Sequence, residues 1–216
     1  MIKAFIFDFD GVIINSENLW RERESAFLPS LIGKEVFKKI QKEILGSTLY
    51  TIYDIAKKNG SGVTQEEFYK VYNEEQAKIY QESPLTENIE LLIEFLVKND
   101  IKIGLVSATE GKEIRKVIGR LPLQNAFAIV ISLGDRKDIR PKPFPDGYLQ
   151  IMKQLGVDPS ETVILEDSKK GVTAGKKSGA FVICFIQYLL SSLISDNADM
   201  YAKSIQDVVD YLKKNI

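Results

Sequence analysis

The chain has 216 residues, of which 44% are hydrophobic and 27% charged, and this length suits one large domain or a core domain with a smaller companion. Its formal net charge of −1 gives no electrostatic case for a nucleic-acid or membrane partner. Histidine is absent and Cys184 is the single cysteine, which excludes a His-based triad, a zinc site and an internal disulfide, and indicates a reducing compartment such as the cytoplasm.

The first predicted element is an apolar strand that two carboxylates follow, in the stretch AFIFDFDGVI at residues 4–13. Four further runs are rich in Val, Ile and Phe and nearly continuous, as strands covered on both faces are: 101–108, 127–133, 162–167 and 180–185. Segments with helical character alternate with these runs, at 88–99, 111–120, 145–156 and 168–178. Strands that alternate with helices predict a Rossmann-like α/β fold, with a parallel sheet built by right-handed crossovers.

Residues 16–83 break this alternation and predict a helical insertion after the first strand. They are rich in Glu, Lys, Gln and Tyr, contain no convincing strand, and space their apolar residues as helices do. The stretch SPLTEN at 83–88 is typical of a hinge that returns the chain to the core. We therefore expect a Rossmann-like core from 1–15 and 84–216, and a helical domain inserted at 16–83.

Polar side chains gather where the predicted strands end, which is where open parallel sheets bind their ligands. The set comprises Asp8, Asp10, Ser107, Lys142, Glu166 and Asp167. Asp8 and Asp10 lie two residues apart, so an extended backbone points both side chains the same way. Clustered carboxylates raise one another's pKa or recruit a cation, and Mg²⁺ is the hard, oxygen-seeking ion that suits them. Any one of these acids is equally well explained as a solvated turn residue, but the whole set at one end of one sheet is not.

Four stretches make the chain resemble the haloacid dehalogenase superfamily of phosphotransferases: FDFDGVI, LVSAT, KPFPDGY and ILEDSKKGVTAGKKSG, in the family's order and spacing between residues 5 and 179. The resemblance implies that Asp8 is the nucleophile that forms an aspartyl phosphate. It implies that Asp10 protonates the leaving oxygen and then deprotonates the attacking water. It also implies a Mg²⁺ site made by the side chains of Asp8 and Asp167 and the backbone carbonyl of Asp10, with Glu166 as a ligand or an orienting residue.

The same resemblance implies contacts for the transferring phosphoryl group. Gly11, Ser107 and Ala108 would hold its oxygens through the serine side chain and nearby backbone N–H groups, and Lys142 would offset the charge between nucleophile and phosphate. A solvated surface lysine is the alternative for Lys142. The prolines on either side of it stiffen its backbone and favour the functional role.

The resemblance also implies that residues 16–83 are a helical cap domain, which closes over the site and selects the substrate, and that 1–15 and 84–216 are the catalytic core. Trp20, in the stretch SENLW, matches certain sugar-phosphate phosphatases and stands where mutases of the β-phosphoglucomutase type have a histidine. Its ring could stack on a sugar or anchor the cap core. Gly46 and Ser47 fall in the expected substrate-specificity loop, although a helix N-cap at Ser47 or Thr48 explains the same stretch.

These features together predict a Mg²⁺-dependent phosphatase that hydrolyses a small phosphorylated metabolite, with a sugar phosphate favoured. A phosphomutase of the β-phosphoglucomutase type is the alternative, which Trp20 disfavours. A non-catalytic protein that binds a phosphorylated ligand is a further alternative, which the intact acidic and lysine motif residues disfavour. We expect a cytoplasmic monomer or weak dimer whose partner is a small phosphate ester, with no binding of nucleic acid or membrane.

Overall fold

The computed structural model describes residues 1–45 and 47–216. Its contacts divide the chain into two units, one comprising Met1–Glu17 and Ser83–Ile216 and the other Asn18–Glu82. Each unit has a hydrophobic core of its own. That the second unit acts as a cap stays a prediction.

The first unit is built on a sheet whose described strands number six. They are β1 (Ala4–Phe7), β2 (Lys102–Ser107), β3 (Phe127–Ser132), β4 (Thr162–Glu166), β5 (Phe181–Phe185) and β6 (Met200–Ala202). The strands are ordered β3-β2-β1-β4-β5-β6, and all neighbouring pairs run parallel. The chain adds β2 and β3 on one side of β1 and then adds β4, β5 and β6 on its other side. The direction in which strands are added therefore reverses between β1 and β4. This confirms the predicted Rossmann-like α/β fold, in which ligands bind at that switch point, outside the carboxyl ends of the strands.

Helices connect these strands and form the second unit. The described α-helices are α1 (Glu17–Ile32), α2 (Lys34–Ile40), α3 (Leu49–Lys58), α4 (Gln65–Glu82), α5 (Ile89–Lys98), α6 (Gly111–Ile118), α7 (Asp146–Leu155), α8 (Lys169–Ser178) and α9 (Ile205–Asn215). Pro145 immediately precedes α7, and Gly156 and Gly179 end α7 and α8 in the left-handed conformation that glycine commonly adopts at a helix C-terminus. Nowhere in the described chain is a helix long and apolar enough to cross a bilayer.

Strand β1 positions the residues that follow it. All four of its side chains are fully buried, because the crossovers of a parallel sheet cover both faces and leave no solvent side for a polar residue. Burial of each Phe or Ile side chain contributes roughly 1.5–3 kcal/mol. The backbone N–H of Asp8 donates to the carbonyl of Leu165 at 2.9 Å, which extends the pairing with β4 one residue beyond the strand. Asp8 is therefore anchored beside the end of β4.

All the regular secondary structure among the described residues of the second unit is helical, and turns and loops connect the helices. Its core comprises Leu28, Ile32, Ile40, Ile44, Ile52, Ala56, Val63, Phe68 and Tyr72. Thr48 caps α3 by accepting a hydrogen bond from the backbone N–H of Thr51 at 3.3 Å, as one of the sequence alternatives expects. The Trp20 ring stacks on Tyr72 with centroids 5.5 Å apart and meets Tyr80 edge-on at 6.3 Å. These contacts give Trp20 the anchoring role, and its stacking on a sugar stays a prediction.

Candidate active site

Lys142 joins the ends of three strands. Its Nζ donates to Asp8 Oδ1 at 2.7 Å, to Glu166 Oε1 at 2.5 Å and to the carbonyl oxygen of Val106 at 3.2 Å. A lysine ammonium has three donors, and this arrangement uses each of them. The side chain is only 10% exposed, so Lys142 is not a solvated surface lysine.

Three buried carboxylates lie at this site, and two of them, Asp8 and Glu166, contact the ammonium group. Asp8, Glu166 and Asp167 each present a carboxylate oxygen, and the three oxygens lie within 4.8 Å of one another. When all are ionised, three negative charges face the single positive charge of Lys142 in a largely water-excluded site. Uncompensated buried charge is costly. An all-oxygen donor set with this excess of negative charge fits a hard divalent cation.

The same charge imbalance appears in the pKa values of the site. Burial, followed by the charge of Glu166, raises the pKa of Asp8 to about 7, although Lys142 opposes this shift. Burial lowers the pKa of Lys142, but the two carboxylates beside it outweigh this effect and the pKa rises overall. The lysine therefore stays protonated, while full ionisation of Asp8 below neutral pH needs more positive charge than Lys142 supplies.

Two hydroxyl groups hold the Asp10 carboxylate. Ser16 Oγ donates to Oδ1 at 2.8 Å, and Thr109 Oγ1 donates to Oδ2 at 2.7 Å. The charge of Asp10 also acts on Asp8, where it raises the pKa. The second aspartate of the pair is thus oriented within electrostatic reach of the first.

The loop that follows β2 is hydrogen-bonded to the last residue of β3. Ser107 is buried, and its Oγ accepts a hydrogen bond from the backbone N–H of Thr109 at 2.9 Å. The last residue of β3, Ser132, donates its Oγ hydrogen to the Thr109 carbonyl at 2.7 Å. Ala108, between the two loop residues, is exposed. The loop is therefore fixed by its neighbours while its middle residue stays accessible to a ligand.

Glu166 has both carboxylate oxygens engaged. Oε1 accepts from Lys142 and, at 2.6 Å, from the Tyr148 hydroxyl, whereas Oε2 accepts from the backbone N–H and Oγ of Ser168 at 3.2 and 3.1 Å. A Cβ on Gly171 would lie 1.8 Å from Oε1, so only glycine leaves room for this carboxylate. Tyr148 and Gly171 lie inside the motif stretches, but the sequence alone assigns them no role.

The remaining predicted site residues belong elsewhere in the chain. Trp20 and Ser47 lie in the second unit, and Gly46 lies outside the described residues. Their contacts with a substrate stay predictions.

Comparison with known proteins identifies the family. The family model named haloacid dehalogenase-like hydrolase matches residues 5–185, which is most of the chain. The chain belongs to this family. The hydrolase also resembles two curated relatives. It is 30% identical over 189 residues to a phosphorylated carbohydrates phosphatase from Thermotoga maritima, with 82% of each chain covered. It is 30% identical over 179 residues to hexitol phosphatase B from Escherichia coli K12, which covers 81% of this chain and 79% of that one.

Solved structures agree with this assignment at the level of the fold. β-Phosphoglucomutase from Clostridium difficile matches with a TM-score of 0.71 and 24% identity, over 99% of this chain and 96% of that chain. CbbY from Rhodobacter sphaeroides in complex with phosphate matches with a TM-score of 0.77 and 21% identity, over 96% of each chain. The predicted superfamily and the predicted enzyme class, a hydrolase, are confirmed.

In the hydrolase, Gly11 makes room for Asp167. Its φ is +70°, and a Cβ there would lie 1.8 Å from Asp167 Oδ2. We expect Gly11→Ala to destabilise the protein by about 3 kcal/mol, because it adds the displacement of a buried carboxylate to the strain of a left-handed alanine. Gly156→Ala is the matched control, since Gly156 has a φ of +65° and nothing within 4 Å of its Cβ position. Urea unfolding of both variants measures the excess cost at Gly11, and equal losses would contradict the steric argument.

The raised pKa of Asp8 predicts how metal-free stability varies with pH. A pKa raised from 3.8 to about 7 means that folding favours the protonated carboxyl. This contribution is complete below the unfolded pKa and is lost as pH rises to about 7, by up to about 1.4 kcal/mol per pH unit. We therefore expect Asp8→Asn to stabilise the metal-free hydrolase increasingly over that interval. Urea unfolding in EDTA from about pH 4 to about pH 8 tests this, and a pH-independent difference between the two proteins would contradict it.

Proposed function

We propose that the hydrolase is a Mg²⁺-dependent phosphatase that cleaves small phosphorylated carbohydrates through an aspartyl-phosphate intermediate. The observation that carries this proposal is the Lys142 ammonium, held 2.7 Å from Asp8 and 2.5 Å from Glu166 in a buried acidic cluster. The names of the two 30% identical relatives, a phosphorylated carbohydrates phosphatase and a hexitol phosphatase, support the same substrate class.

Asp8 is the nucleophile in this proposal. A carboxylate oxygen attacks phosphorus, the bond to the leaving oxygen breaks, and an acyl phosphate forms on Asp8. Water then attacks that phosphorus, which releases inorganic phosphate and restores the carboxylate. The attack brings a carboxylate towards a phosphate of the same charge, and Lys142 offsets their repulsion. At about 4 Å and an effective dielectric constant near 20, one such charge interaction is worth about 4 kcal/mol.

Asp10 carries the proton in both steps. It protonates the leaving oxygen as the acyl phosphate forms and then takes a proton from the attacking water. Ser16 and Thr109 suit this role because a hydroxyl can donate to an ionised carboxylate and accept from a protonated one. Asp10 therefore keeps its partners, and its orientation, in either protonation state.

Mg²⁺ would be held by the side chains of Asp8 and Asp167 and the backbone carbonyl of Asp10, with Glu166 as a candidate further ligand. When bound, the ion supplies the positive charge that the acidic cluster lacks and stabilises charge on the phosphoryl oxygens. Ser107, with backbone N–H groups at Gly11 and Ala108, holds those oxygens. We assign selection of the carbohydrate to the second unit as a cap, through Trp20, Gly46 and Ser47.

Phosphate release tests the proposal directly. Hexose, hexitol and pentose phosphates, phosphoglycolate and nucleotides are assayed with Mg²⁺, with EDTA, and after Mg²⁺ is restored. We expect metal-dependent release that is fastest with the carbohydrate esters. A phosphomutase would instead interconvert sugar phosphates without net release and would depend on a bisphosphate. No release from any ester by folded, Mg²⁺-binding protein would overturn the proposal.

A further inference from the structure

Tyr148 lies in the first turn of α7, and its role goes beyond packing. The residue is 1% exposed, and its hydroxyl donates to Glu166 Oε1 at 2.6 Å. Burial, together with the charges of Glu166 and Asp8, raises the pKa of this tyrosine well above its ordinary value, so the hydroxyl remains a donor. Phenylalanine would fill the same core space without a polar atom to satisfy. A hydroxyl aimed at a carboxylate therefore needs an explanation other than hydrophobic burial.

Tyr148 contacts both members of the ion pair between Lys142 and Glu166. Its hydroxyl shares Oε1 of Glu166 with Lys142, while the Lys142 Nζ lies 5.4 Å from the centroid of its ring. Ser168 holds the other oxygen of Glu166. A glutamate side chain can rotate about three bonds, and attraction to an ammonium group alone has little directionality. The hydroxyl adds a directional bond that fixes the position of Oε1.

We propose that Tyr148 is a positioning residue, which fixes Glu166 and through it holds the Lys142 ammonium against the Asp8 carboxylate. Its catalytic consequence rests on the proposed phosphatase function, but the structural consequence does not. Without the hydroxyl, Oε1 loses one of the two hydrogen bonds that it accepts from side chains, and the charge that offsets the approach of phosphate is less well placed.

The kinetic test is Tyr148→Phe, which removes only the hydroxyl. We expect kcat to fall roughly tenfold, as for loss of a hydrogen bond to a charged group, with KM for the ester changed by less than about twofold. Tyr201→Phe is the matched control because Tyr201 is exposed on β6, and both of its constants should equal those of the wild type. A Tyr148→Phe enzyme with wild-type kcat, or with a change confined to KM, would overturn the proposal.

A double variant tests whether Tyr148 acts through Glu166. In a Glu166→Gln background, the further change Tyr148→Phe is expected to lower kcat by less than about twofold, since the group that the hydroxyl positions has already been altered. A full tenfold loss in that background would show that Tyr148 acts by another route.

A spectroscopic arm separates this inference from the proposed function. In protein with ¹⁵N-labelled lysine, the Lys142 ammonium should give a slowly exchanging resonance, which Lys142→Met removes and so assigns. We expect Tyr148→Phe to speed its exchange with water at least about threefold, because one fewer bond restrains its acceptor. Unchanged exchange would overturn the inference even if the wild type hydrolyses the esters, whereas faster exchange in an inactive wild type would overturn only the phosphatase proposal.

Thermal unfolding checks that Tyr148→Phe is folded. If the variant is unfolded, the wild-type protein is used instead. Its tyrosines are labelled with ¹³C at Cζ, so that exchange of the Tyr148 hydroxyl proton with water can be measured. A tyrosine hydroxyl proton protected from exchange is expected for a buried bond of 2.6 Å. Its absence would overturn the proposal.

Discussion

Asp8→Asn is expected to abolish phosphate release, with kcat lowered by at least about 10⁴-fold. The amide has nearly the same shape as the carboxylate but no anionic oxygen to attack phosphorus. Lys142 keeps the Glu166 and Val106 oxygens as acceptors in this variant. The fold should therefore be retained, and the loss should be chemical rather than structural.

Acid quenching distinguishes loss of the nucleophile from weak substrate binding. With ester labelled in the phosphoryl group, the wild type should carry label on the protein that hydroxylamine releases, as an acyl phosphate does. The Asp8→Asn variant should carry none. Asp138→Asn, at an exposed aspartate that pairs with Arg136, is the control and should behave as the wild type. Label on the Asp8→Asn protein would place the nucleophile elsewhere.

The sequence predicts the sheet well because the physical requirement on its strands is strong. A strand covered on both faces must be apolar throughout, so β1, β2, β4 and β5 stand out as continuous runs. The sequence pattern predicts neither β6, which has three residues, nor α9. A strand that short carries too few side chains for a pattern, and only its pairing with β5 makes it a strand.

The site could be predicted in part for a similar reason. A parallel sheet places the carboxyl ends of all its strands at one edge, so Asp8 after β1 and Glu166 at the end of β4 are expected as neighbours, with Lys142 near them because it follows β3 at the same edge. The partners that orient them were not expected, because nothing in the sequence relates Tyr148 to Glu166, or Ser16 to Asp10, before the chain is folded. Such contacts depend on helix packing and side-chain rotamers, and the same holds for whether Glu166 binds the metal or the lysine.

Removal of the Lys142 charge is the second large effect that the geometry predicts. Lys142→Met keeps the aliphatic stem of the side chain and leaves the buried Asp8 and Glu166 carboxylates without their shared cation. Removing one member of a buried ion pair leaves the charge of the other uncompensated. We therefore expect the unfolding free energy to fall by about 3 kcal/mol at neutral pH. We also expect kcat to fall by about 10²–10³-fold, as when one electrostatic contact of the transition state is removed.

The pH dependence of the destabilisation identifies its cause. If stranded carboxylate charge is responsible, the stability gap between Lys142→Met and the wild type should narrow as pH falls and the carboxylates take up protons, since the neutral forms need no cation. Added Mg²⁺ should narrow it as well, because the ion replaces part of the missing charge. Lys153→Ala, at an exposed position of α7, provides the baseline for losing a lysine without a buried partner. A gap that is the same at every pH and every Mg²⁺ concentration would mean that Lys142 serves packing rather than charge balance.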